Sequence, residues 1–189
     1  MEILFLALAA TVSFASLVLW SKARQATPGE RPRALLPSSE RTPLTAQIGD
    51  IVELLDRDWL VDGAIVLSES PRGARLCRLM DGAEERFLYA GTQQSGEAWI
   101  LHLLEPTPEG RAEDLLHEGE RLRLESRWRA TVLSAGKMGR RIFEAELTVY
   151  EYAGAGGRLV LALDGATRNI AFVGERILPH AIEILPGRG

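Results

Sequence analysis

The sequence predicts an all-β domain, mainly antiparallel, behind one N-terminal transmembrane helix. Three observations carry this. Beyond residue 48 the apolar runs are short and are parted by turn signals such as Asp81-Gly82, Asp164-Gly165 and the glycines at 154, 156 and 157. Residues 141–152 alternate, with Phe143, Ala145, Leu147 and Val149 on one side and Glu144, Glu146, Thr148 and Tyr150 on the other. A period of two sends the first set to a core and the second to a solvated face. The third observation is an uncharged apolar run over residues 3–20.

That run comes first in the chain. Eighteen residues at about 1.5 Å rise make roughly 27 Å of helix, close to a hydrocarbon core of about 30 Å. Trp20 ends it, where an amphipathic ring favours the headgroup level. A cleaved signal peptide would want a basic start and a small-x-small site after the run. Here the only preceding charge is Glu2, and no such site follows Trp20. Lys22, Arg24, Arg31, Arg33 and Arg41 all follow the run, and cationic flanks stay on the cytoplasmic side. The expectation is a single-pass protein of the inner membrane, held in the bilayer by residues 3–20, with its domain facing the cytoplasm.

Residues 21–47 read as a flexible linker, rich in Pro, Arg and Ser and without an apolar period. The linker carries +3 and the anchor −1; removing both from the total of −4 leaves −6 for residues 48–189. An acidic domain argues against nucleic acid, where neutralisation of phosphate by Lys and Arg dominates affinity.

Within 48–189 the expected strands cover 50–55, 59–67, 74–80, 85–89, 98–104, 121–124, 127–134, 141–152, 158–163, 169–173 and 181–185. Residues 110–117 allow one or two helical turns through Ala112, Leu115 and Leu116. The architecture expected is a sandwich or a partly open barrel. A weak echo suggests two similar halves of about 65 residues. Gly49-Asp50 leads to Trp59 as Gly119-Glu120 leads to Trp128, and RFLYAG (86–91) resembles YEYAG (150–154).

Chemistry is sparse. Cys77 is alone in an apolar run and reads as a buried structural thiol. His102, His117 and His180 are far apart in sequence, His102 within a strand and the other two in loops, with no metal-ligand spacing. No nucleophile elbow or phosphate loop is present, and the AGAGG stretch at 153–157 reads as a hairpin turn. No catalytic residue, metal or cofactor is expected, and the chain reads as a non-enzyme.

GDIVELLDRDWLVDGAIVL, RFLYAG, EAWILHLL, AELTVYEYAGAGGRLVLALDG and FVGERILPHAIEILPG together resemble the domain-of-unknown-function 4178 family of bacterial proteins. The likeness spans most of residues 48–187. It implies a fold and no activity, since these motifs are short and apolar.

The function expected is a membrane-tethered interaction or regulatory module with a membrane-protein partner, since tethering raises effective concentration near such partners. Trp128, Arg129, Glu144, Glu146, Tyr150 and Tyr152 are the candidate contact residues, taken as exposed polar or aromatic side chains. The alternative is an acidic domain that binds a small polyamine-like cation.

Overall fold

The structure is a computed structural model that describes residues 41–93, 97–108, 113–140 and 144–187. The expected anchor and most of the expected linker lie outside them. Among the described residues no helix is long and apolar enough to cross a membrane. Residues 41–47, expected in the linker, belong instead with the β domain. Ala46 is fully buried, Arg41 lies 3.6 Å from the Asp50 carboxylate, and the Gln47 and Gly187 amides donate to that carboxylate.

The described residues hold eleven strands. β1 (Ile51–Leu54), β2 (Arg57–Glu69), β3 (Arg72–Asp81), β4 (Glu84–Gly91) and β5 (Ala98–Leu103) form one antiparallel meander. β6 (Asp114–His117), β7 (Glu120–Gly136), β8 (Glu146–Ala153), β9 (Arg158–Asp164) and β10 (Asn169–Ile177) form a second, and β11 (Ile182–Leu185) returns to pair with β1. β5 pairs with β10 and β2 pairs with β7, so β2-β3-β4-β5-β10-β9-β8-β7 closes into an eight-stranded antiparallel barrel. The expected sandwich gives way to this barrel because β2 and β7 are long. Each pairs with its hairpin partner near its start and has length left to meet the other near its end.

The described residues from 51 onward are all-β. The helical turn expected at 110–117 is strand β6 from Asp114 onward. His117 therefore ends a strand, and His180 sits in a short 3-10 turn. The runs 121–124 and 127–134 form one 17-residue strand with a bulge at Glu125. The strand expected over 141–152 begins at Glu146. Just before it, Glu144 turns aside to accept hydrogen bonds from the Thr167 amide at 2.9 Å and the Thr167 hydroxyl at 2.5 Å.

The two meanders correspond, but not through the motifs that suggested them. β1-turn-β2 matches β6-turn-β7. The turns lie at 55–56 and 118–119 and the bulges at Asp62 and Glu125, an offset of 63 residues in each case. On that offset Trp59 matches Leu122, not Trp128. Trp59 and Leu122 each lie in a cluster on the outer face of the barrel, whereas Trp128 points into its interior.

Core position follows from strand period and from the bulges. Ile65, Leu67, Leu76, Phe87, Trp128, Leu147, Val149, Leu161 and Phe172 fill the interior. Phe87 meets Phe172 edge-on at 4.7 Å, a geometry worth about 0.5–1.5 kcal/mol beyond its area. Residues before each bulge face outward into a second layer. Val52, Leu54, Trp59, Cys77, Leu88 and Ile184 pack beneath the β11–β1 flap, and Leu122, Tyr150, Tyr152, Val160 and Val173 pack beneath β6 and the start of β7. Cys77 is thus a buried thiol, held neutral by desolvation.

Glu151 has the same parity as Leu147 and Val149, so its carboxylate faces the interior and is 6% exposed. The fully buried Tyr89 donates its hydroxyl to it. Burial, followed by the Glu151 charge, raises the phenol well above its ordinary pKa of 10.0. Folding therefore favours the neutral phenol. The Tyr89 contribution is complete below the unfolded value and is lost as pH rises through and beyond about 10. Urea midpoints at pH 9 and pH 11 should show this loss, and Tyr89→Phe should flatten that part of the slope.

Candidate functional site: the groove at the first hairpin

β1 and β2 are joined by a two-residue turn, because Leu54 pairs with Arg57. Leu55 and Asp56 both sit at positive φ, 52° and 59°. Such a turn matches the right-handed twist of its strands and is normally filled by Asn-Gly or Asp-Gly. The matching β6–β7 turn has Gly119 at φ 81° after Glu118 at 49°. Leu55 has no such release: the left-handed region costs an L-residue with a Cβ about 1–2 kcal/mol. It is also 76% exposed, so burial does not offset the strain. Leu55→Gly is therefore expected to raise stability by about 1 kcal/mol. Thermal or urea unfolding checks this, and an unchanged or lowered midpoint would refute it.

Two rows of side chains cross the strands beside this turn. Glu183 pairs with Glu53, and Glu53 with Asp58, so three carboxylates stand in register on one outer face. Like charges directly opposite one another destabilise a sheet. Two residues along each strand, Leu185 pairs with Ile51, Ile51 with Leu60, and Leu60 with Met80. This apolar row shares the face, because the alternate residues Val52, Trp59 and Ile184 turn inward. Leu60 is 42% exposed and the other three are half-buried.

The carboxylate row lines an open groove of about 580 Å³, together with Leu55, Asp56, Arg57 and His180. Arg57 does not neutralise it. Its guanidinium is bound to Asp81 and, at 2.7 Å, to Glu84, and those bonds raise its pKa. Glu53, Asp56 and Asp58 therefore give the groove a negative field.

The contact residues expected from sequence do not form one surface. Trp128 is buried in the barrel interior, and Tyr150 and Tyr152 are buried in the outer layer under β6, so none of the three aromatics is an exposed contact. Their burial has a common cause: the interior takes one face of β7 and β8, and the long start of β7 folds over the other. Arg129 and Glu146 are exposed and pair with each other at 3.3 Å. Glu144 is occupied in holding the β9–β10 turn. His102 lies on β5, and its pKa is lowered by partial burial and then by the Arg86 charge.

Glu53, Leu55, Asp58 and Glu183 were not marked by the sequence. A Leu-Asp pair carries no turn signal, and the carboxylates are 130 residues apart from end to end and meet only through pairing. Among the described residues no cluster of His, Cys, Asp or Glu has the arrangement of a metal site.

No curated protein and no solved structure matches the chain. The sequence signature described as Domain of unknown function (DUF4178) matches residues 47–179. That stretch runs from Gln47, ahead of β1, through β10 of the closed barrel, and the chain belongs to this family.

Proposed function

We propose that this chain is a non-enzymatic interaction module, tethered to the cytoplasmic face of a membrane by residues 3–20, that engages a partner through the groove at the β1–β2 hairpin. The supporting observation is the in-register pair of carboxylates Glu53 and Asp58, like charges placed opposite one another in the groove beneath the strained, exposed Leu55. Strain and like-charge crowding that the fold itself does not need point to a surface kept for recognition. The barrel interior, filled by side chains, supports an outer site over an inner one.

A photo-crosslinking residue at position 55 of the full-length chain, in its native membrane, tests this. A discrete adduct is expected that is lost in a Glu53→Lys background, while the same probe at Gly156, which faces open space, gives none. Identical adducts from both positions would sink the proposal.

A second reading is a small polyamine-like cation. Strands about 4.8 Å apart set the three carboxylates in a line that a linear polycation can follow. Titration of the full-length chain with spermidine should then release heat and raise the melting temperature. No heat and no shift at millimolar ligand would count against this second reading alone.

A further inference from the structure

We propose that the groove face docks a segment of a partner protein in which an aliphatic side chain and a Lys or Arg lie two residues apart in an extended backbone. This inference rests on the interaction reading of the same groove and names the chemistry of the partner.

The argument starts from the two rows. On β1, Ile51 and Glu53 lie on one face two residues apart, and on β2, Leu60 and Asp58 repeat the arrangement. Two residues of strand span about 6.6–6.8 Å. An extended segment laid along the strands presents its own alternate side chains at the same spacing. Its aliphatic group would sit on the Ile51–Leu60 row, and its cation would sit on the Glu53–Asp58 row. Leu55, at the rim of the groove, adds apolar surface beyond the carboxylates.

Charge complementarity selects this occupant over others. The portion of the chain from residue 48 onward carries −6, so a second copy brings like charge to an acidic face. An anionic headgroup is disfavoured for the same reason. A small polycation answers the carboxylates and leaves the half-exposed Leu60 row and Leu55 uncovered. A segment with both chemistries covers both rows, and the apolar contacts displace water from around the ion pairs, which strengthens them.

Two labelled peptides test this against the full chain by fluorescence anisotropy. One repeats Leu-Ser-Lys-Ser, which puts Leu and Lys on one face in the extended form. The other repeats Ala-Ser-Lys-Ser, with the same charge. The Leu peptide is expected to bind at least tenfold more tightly. Leu55→Asn and Leu60→Ser should each weaken the Leu peptide several-fold and leave the Ala peptide unchanged, while Glu53→Lys should weaken both. Leu55→Asn changes an exposed turn residue to an uncharged one that tolerates positive φ, so unchanged circular dichroism melting is expected.

Equal affinity for the two peptides would overturn the proposed chemistry and leave a purely electrostatic groove. Absence of binding by the Leu peptide would overturn it too, while the crosslink at position 55 decides the interaction reading independently. Self-association of the chain that is abolished by Leu60→Ser would assign the face to a second copy and overturn the proposal.

Discussion

Gly174→Ala is expected to cost more than about 3 kcal/mol, and Gly174→Val to prevent folding. Gly174 lies on β10 at the seam where the two meanders meet, opposite Leu101 of β5. A Cβ added there would lie 1.9 Å from the Ile100 carbonyl oxygen and 2.8 Å from the Leu101 Cα. Both obstacles are backbone, so no side-chain rotation relieves the clash. The seam would have to open, and β5–β10 is one of two pairings that close the ring. Urea unfolding is the measurement. For Gly174→Ala the midpoint should fall far below that of Gly156→Ala, whose added methyl meets open space. Coincident midpoints for the two variants would show that the seam adapts and that this argument is wrong.

Tyr89→Phe should cost about 2–3 kcal/mol, the range for a hydrogen bond to a charged group left buried without its donor. The cause is the Glu151 carboxylate, which is 6% exposed inside the barrel and takes the Tyr89 hydroxyl. For a domain of this size such a loss lowers the melting temperature by roughly 4–12 °C. The asymmetry between removing one partner and removing both makes the test sharp. The double variant Tyr89→Phe, Glu151→Leu should be more stable than Tyr89→Phe alone, because no charge then remains to be desolvated. Glu151→Gln in the native background should cost less than Tyr89→Phe, since the amide oxygen still accepts the phenol proton. Additivity of the two single changes in a double-mutant cycle would show that the pair is not coupled, and would remove the reason for this polar contact inside the barrel.

The same two positions show where reading the sequence stopped. The alternation over Leu147, Val149 and their neighbours was legible, and the structure places both in the core. The same period assigns Glu151 inward, but a carboxylate in that place is accepted only once Tyr89, 62 residues earlier, is known to meet it. Tyr150 and Tyr152 alternate with the core and so read as solvated, yet they are buried because the start of β7 covers them. A period of two distinguishes the faces of a strand; it does not say whether a second layer lies over the outer face.

Strand number and turn chemistry show the same division. Most strands fall where short apolar runs end at Gly or Asp, because those residues supply backbone conformations that others resist. The Leu55-Asp56 turn carries no such signal, because its residues take the positive-φ bend at a cost in strain. The two halves have about the length that the sequence echo implies, but the echoing motifs are out of step with the offset of 63 that the turns and bulges share.

Local properties are legible in the residues alone: an all-β class, the antiparallel order of neighbouring strands, the acidic character of the domain, and the inward set on most strands. These depend on composition and on a period of two, which any short segment carries alone. Tertiary structure decided the closure of the barrel, the burial of Trp128, Tyr150 and Tyr152, and the gathering of Glu53, Asp58 and Glu183 into one row. Those depend on pairings between residues as much as 134 positions apart, Ile51 with Leu185 being the longest. The register of such a pairing is selected by the packing of the whole domain, since a slip of one residue turns every side chain of the strand to the other face.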